Sequence, residues 1–176
     1  FKKNKFMNLF IVSGAPNTGK STTVYHLCTY LLNLGYVKTD IPYNGKRYST
    51  STSFPPILAN DFSCLLEKEG KKVLIHTATD DVFNIDALVN SINNHKPSIV
   101  ITTCRDFGDW PRDYFCSQLK LVNSFILAST SDIDIEEFPL SRITRRTTRF
   151  ATAYEWYFIN STHQIEKILS LPPYSI

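Results

Sequence analysis

A chain of 176 residues supports one substantial core and is short for two ordinary domains, so residues 1–176 are expected to form a single globular unit. Hydrophobic residues make up 43% and charged residues 20%, which excludes disordered and fibrous classes. The net charge of +3 is too small to signal nucleic acid without a local basic cluster, and the longest apolar runs, such as 8–12 and 124–128, are strand-length, so no membrane partner is expected.

Residues 1–6 carry three lysines ahead of Met7 and read as a leader or a cloning remnant. Cys28, Cys64, Cys104 and Cys116 are scattered without metal-ligand spacing, which points to free thiols and a cytoplasmic setting rather than disulfides or zinc. Residues 7–12 are a compact apolar run that stops at Ser13-Gly14, and apolar periodicity resumes after Lys20 and runs to Leu34-Gly35. That pattern predicts strand, glycine loop, helix. The polar, Tyr-, Ser- and Thr-rich stretch 38–56, with Asn44-Gly45 as a turn signal, predicts an exposed loop or hairpin.

A helix is expected over 62–69, a strand over 73–76, a helix over 86–94, a strand over 98–103 and a helix over 114–122. A fourth strand is expected at 124–128, followed by an acidic and then an arginine-rich segment. A fifth is expected at 156–159, leading into a terminal helix over 161–171 with Ser161 as its N-cap. Apolar strands alternating with amphipathic helices predict a three-layer α/β/α sandwich with a mainly parallel central sheet.

The segment Gly14-Ala15-Pro16-Asn17-Thr18-Gly19-Lys20-Ser21 fits G-x-x-x-x-G-K-[ST] at every fixed position, between a predicted strand and a predicted helix. Glycines let successive amides converge on phosphate oxygens at the positive end of the helix. Lys20 is expected to bridge the β- and γ-phosphates, Ser21 to ligate magnesium, and Thr22 to touch the α-phosphate. On these residues the chain resembles the P-loop NTPase superfamily. The resemblance implies the P-loop fold, ATP or GTP as cofactor and Mg²⁺. An N-K-x-D base-recognition motif, an ABC-type signature and a helicase-like motif array are absent from the sequence.

A carboxylate at a strand end is needed to orient a magnesium-bound water or the attacking group. Three positions compete: Asp61, Asp80 with Asp81, and Asp106. Asp80 serves as candidate metal ligand and catalytic group and Asp106 as candidate catalytic group. Asp80 and Asp81 equally suit capping of the helix that follows them, and Asp106 suits a salt-bridged loop with Arg105, Asp109 and Arg112.

Four of the seven arginines, Arg142, Arg145, Arg146 and Arg149, fall at i, i+3, i+4 and i+7 and share one face if the segment is helical. Their acidic partner is either the upstream set Asp132, Asp134, Glu136 and Glu137, a nucleotide phosphate, or a nucleic-acid backbone. This stripe, then Tyr154-Glu155-Trp156-Tyr157-Phe158-Ile159-Asn160 and a closing helix, resembles the carboxyl end of nucleoside and nucleotide monophosphate kinases. The resemblance implies a lid over 131–155, with Arg145 and Arg146 acting on the transferring phosphoryl group and Arg142 and Arg149 binding nucleotide. It further implies transfer of the γ-phosphoryl of ATP to a small acceptor, with Tyr43, Arg47 and Tyr48 placed where a monophosphate would bind. No acceptor motif accompanies it, which keeps open a P-loop ATPase acting as a switch or motor with a protein or nucleic-acid partner.

Overall fold

The computed structural model describes residues 7–16, 18–42, 61–106, 108–121, 133–140 and 151–176, with the backbone alone for 151–159. Chain order is β1 (Met7–Ser13), α1 (Lys20–Asn33), β2 (Val37–Asp40), β3 (Ser63–Lys68), β4 (Lys71–His76), α2 (Val82–His95), β5 (Ile99–Cys104), α3 (Trp110–Leu119), β6 (Ile133–Pro139) and α4 (Ala151–Leu169). The six strands form one sheet in the order β2-β3-β4-β5-β1-β6. Strands β4, β5, β1 and β6 run parallel, while β3 is antiparallel to both of its neighbours.

Strand alternation divides the core in two. Phe10 and Val12 of β1, Cys64 and Leu66 of β3, Val73 and Ile75 of β4, and Ile99 and Ile101 of β5 pack against α1 and α4. Leu9 and Ile11, Leu65, Leu74 and Val100 point the other way, onto Ile85 and Leu88 of α2 and Phe115 and Leu119 of α3. Helix α1 buries Val24, Leu27, Cys28 and Leu31, the i, i+3, i+4, i+7 stripe of a helix laid on a sheet. The result is an α/β architecture with helices on both faces, as the alternating elements predict. No helix among the described residues is long and apolar enough to cross a membrane.

Three expectations are corrected. Residues 63–68 form strand β3, not a helix: a short apolar run fits a doubly covered strand as well as a buried helix turn. The Glu69-Gly70 connection, with φ of 49° and 78°, is the tight left-handed turn that closes β3 onto β4. Residues 156–159 lie inside α4 and form no strand, so the β-rich composition of Trp-Tyr-Phe-Ile is overridden by a helix that continues to the core residues Ile165 and Leu169. Ser161 is therefore a buried residue within that helix, not its N-cap.

The acidic segment contributes β6, whose Ile133 and Ile135 alternate toward the α2–α3 side. The front of the expected 38–56 loop belongs to the four-residue strand β2, paired with β3. Residues 43–56 of that stretch, the 124–128 strand and the arginine stripe lie outside the described residues. The four cysteines are buried free thiols.

His76, at the end of β4, shows how the interior is set for neutral groups. Its Nε2–H donates to the Ala78 carbonyl at 2.8 Å and its Nδ1 accepts from the Ser63 hydroxyl at 3.1 Å. Burial lowers its pKa from 6.5 to about 4. The unfolded chain then binds a proton that the native protein refuses, so this group's contribution is complete above 6.5 and is lost as pH falls toward 4. The loss amounts to about 3 kcal/mol at most. Asp61, whose pKa burial raises, acts in the opposite sense. Chemical denaturation between pH 7 and 4.5 is expected to show a shallower decline for His76→Gln than for the wild type; parallel curves would remove His76 from the pH response.

Candidate functional site: the loop after β1

The loop is fixed at both edges by the strands flanking β1. The Gly14 N–H donates to the Cys104 carbonyl of β5 at 3.2 Å, and the Leu140 N–H that follows β6 donates to the Ser13 carbonyl at 2.8 Å. A Cβ on Gly14 would sit 2.7 Å from the Thr18 hydroxyl oxygen, closer than any relaxed contact, so the curl requires glycine there. Gly19, at φ 90°, ends the loop in the left-handed region, and α1 starts at Lys20 with no side-chain cap on its first turn. The amides of that turn are the groups a helix leaves for an anion or for water.

Lys20 is buried, and its ammonium donates to the carbonyls of Gly14 and Ala15, each at 2.9 Å. Burial lowers its pKa, and Arg105 lowers it further, while Asp80 and Asp106 draw it back. Thr18 donates to the Ala15 carbonyl at 2.9 Å and stiffens the same curl. Ala15 and Thr22 are half-buried and Pro16 is exposed, while Asn17 lies outside the described residues.

The carboxylate that meets the loop is Asp61. The Ser21 hydroxyl donates to its Oδ1 at 2.7 Å and the Thr77 hydroxyl to the same atom at 3.1 Å. Burial raises the Asp61 pKa, against which the two hydroxyls pull it down. Asp61 stands just before the amino end of β3, and the strand-like run 56–59 that precedes it in the sequence lies outside the described residues. Because β3 runs antiparallel to β4, that end reaches the same sheet edge as the carboxyl ends of β1, β4 and β5.

Asp80 is ion-paired to Arg105, with Nε at 2.6 Å from Oδ1, while the Ser21 hydroxyl goes to Asp61. Asp81 is the cap of α2, accepting from the Asn84 N–H at 2.8 Å. Asp106 follows Arg105 and acts on Lys20 through its charge. The ends of β4 and β5 are laced by threonines: Thr103 donates to the Thr77 carbonyl at 2.7 Å, and Thr79 reaches Thr103 Oγ1 at 2.9 Å. Lys20, Asp61, Asp80, Arg105 and Asp106 thus form one charge cluster beside loop 14–21. Arg142, Arg145, Arg146 and Arg149, and Tyr43, Arg47 and Tyr48, lie outside the described residues.

Sequence reasoning missed two features. Arg105 adjoins the loop because its neighbour Cys104 holds Gly14. Arg112 and Glu137 form a buried two-pronged pair at 2.7 and 2.8 Å between α3 and β6. The charge-dense string Cys104-Arg105-Asp106 was the available signal for the first; nothing local announces the second.

The donor set suits magnesium and phosphate. Among the described residues no group of three or more His, Cys, Asp or Glu is arranged to hold a metal by itself. A hydroxyl and a single carboxylate in contact are nonetheless the usual protein share of a magnesium site completed by phosphate oxygens and water. No protein-family profile, characterised protein or solved structure matches the chain.

Proposed function

We propose that this chain is a P-loop protein that binds the phosphates of ATP or GTP, together with magnesium, in loop 14–21, and that it hydrolyses the γ-phosphoryl bond. The observation that carries the reading is Lys20: a buried ammonium folded onto two loop carbonyls, which are neutral partners that phosphate oxygens would outbid. The uncapped first turn of α1 supplies amides to the same place. Ser21 and Asp61 would hold the magnesium ion, whose charge offsets that of the phosphates. Asp80 and Asp106 are the carboxylates available to orient the attacking water.

Hydrolysis is preferred to transfer because one element of the carboxyl-end likeness to nucleotide kinases is not formed: residues 156–159, the strand of that likeness, are helical within α4. Turnover that depends on an added nucleoside or nucleoside monophosphate would restore the kinase reading.

Asp61→Asn tests the assignment of the magnesium ligands. The substitution keeps the acceptor oxygen for Ser21 and Thr77 and removes the charge. ATP affinity in the presence of magnesium is expected to fall about 10–100-fold, with affinity in chelator unchanged. An undiminished magnesium effect in the folded variant would discard Asp61 as a ligand-site residue.

A further inference from the structure

The strand next to β1 delivers a second cation to the loop. Cys104 is the last residue of β5 and its carbonyl holds the Gly14 N–H, so Arg105 is the next residue after the loop's anchor. The Arg105 side chain is 18% exposed, while its partner Asp80 is 51% exposed. A guanidinium near a sheet edge, paired to a solvated carboxylate, exchanges partners at little cost, because such pairs contribute little net stability. A phosphoryl group offers it a two-pronged, more highly charged acceptor.

The backbone of Arg105 is held from α3. Arg112 Nη1 donates to the Arg105 carbonyl at 3.1 Å, and the same guanidinium forks onto both oxygens of Glu137. The Arg112 and Glu137 side chains are 4% and 9% exposed, and Glu137 lies in register with Ile11 of β1. Arg105 is therefore tied to the loop strand directly through Cys104 and again through α3 and β6.

We propose that Arg105 is the residue by which this site distinguishes a triphosphate from a diphosphate: held by Asp80 in the structure, it exchanges that carboxylate for the terminal phosphoryl group, and the Arg112–Glu137 pair positions it. This inference rests on the nucleotide reading above. Lys20, whose proton affinity Arg105 depresses, gains from the same exchange, since one anion then serves both cations. Asp80, set free, lies next to Asp81 at the start of α2, so the release of a charge there accompanies occupation by triphosphate.

The test is the ratio of ATP to ADP affinity, each titrated calorimetrically with magnesium. Arg105→Ala is expected to lower ATP affinity about 10–100-fold and ADP affinity by far less, collapsing the ratio. Asp80→Asn, which removes the competing carboxylate, should raise the ratio. Arg112→Lys should lower it, and a purely structural Arg112 would instead lower the melting temperature with the ratio unchanged. A wild-type ratio in folded Arg105→Ala overturns the inference while leaving nucleotide binding intact. Failure of the wild type to bind either nucleotide overturns both. Should Arg105→Ala not fold, Arg105→Gln is measured in its place, with the same expected loss of ratio.

Discussion

Lys20→Ala is expected to lower the affinity for magnesium-ATP at least about a hundredfold while the melting temperature moves by only a few degrees. The two halves of that expectation come from the same observation. A buried ammonium is costly to the folded state, and here its described partners are two neutral carbonyls, so truncation relieves a desolvation penalty as it removes two hydrogen bonds. Binding has no such offset. Hydrogen bonds between charged groups are worth about 1.5–3 kcal/mol each, and bridging two phosphates uses two of them. Calorimetric titration paired with a thermal melt reads both quantities. Unchanged affinity in a folded variant would show that the loop is not the nucleotide site.

The largest effect on stability is expected from Arg112→Ala. Glu137 would be left as a buried carboxylate without its forked partner, a loss of about 3–5 kcal/mol, which for a chain of this size lowers the melting temperature by roughly 6–20 °C. Replacing both partners, as Arg112→Met with Glu137→Leu, should recover most of the loss, since the penalty lies in the unpaired charge more than in the bonds themselves. Chemical denaturation of the three proteins settles the sign. A single variant as stable as the wild type would contradict the burial of the pair, and a double variant no better than the single would assign the stabilisation to the hydrogen bonds.

How far the sequence could be read follows from which interactions are local. The β1–loop–α1 unit was legible because glycine geometry, the lysine and the helical apolar stripe all lie within about 25 consecutive residues. Strands β4 and β5 and helices α2 and α3 were legible from period alone, with boundaries displaced by a few residues. Strand β3 was not, because burial on both faces erases the alternation that marks a strand; the Glu69-Gly70 turn was the stronger signal. In α4 the propensity of Trp156 to Ile159 pointed to a strand, while the packing of Ile165 and Leu169 against the α1 side favours the helix.

In the site, choosing among Asp61, Asp80 and Asp106 required knowing that β3 runs antiparallel, which brings Asp61 40 residues back to Ser21. Asp80 and Asp81, which the sequence left divided between capping and catalysis, differ by one residue and by role: Asp81 caps α2 and Asp80 holds Arg105. Such distinctions depend on which way a side chain leaves the end of a strand, and composition carries no record of it.

Titration of the wild-type protein with ATP in the presence of magnesium tests the central claim most directly. Saturable binding is expected, with a Kd below about 1 mM, competed by inorganic pyrophosphate and weakened when magnesium is chelated. A folded protein that takes up neither ATP nor GTP at millimolar concentration would contradict the account.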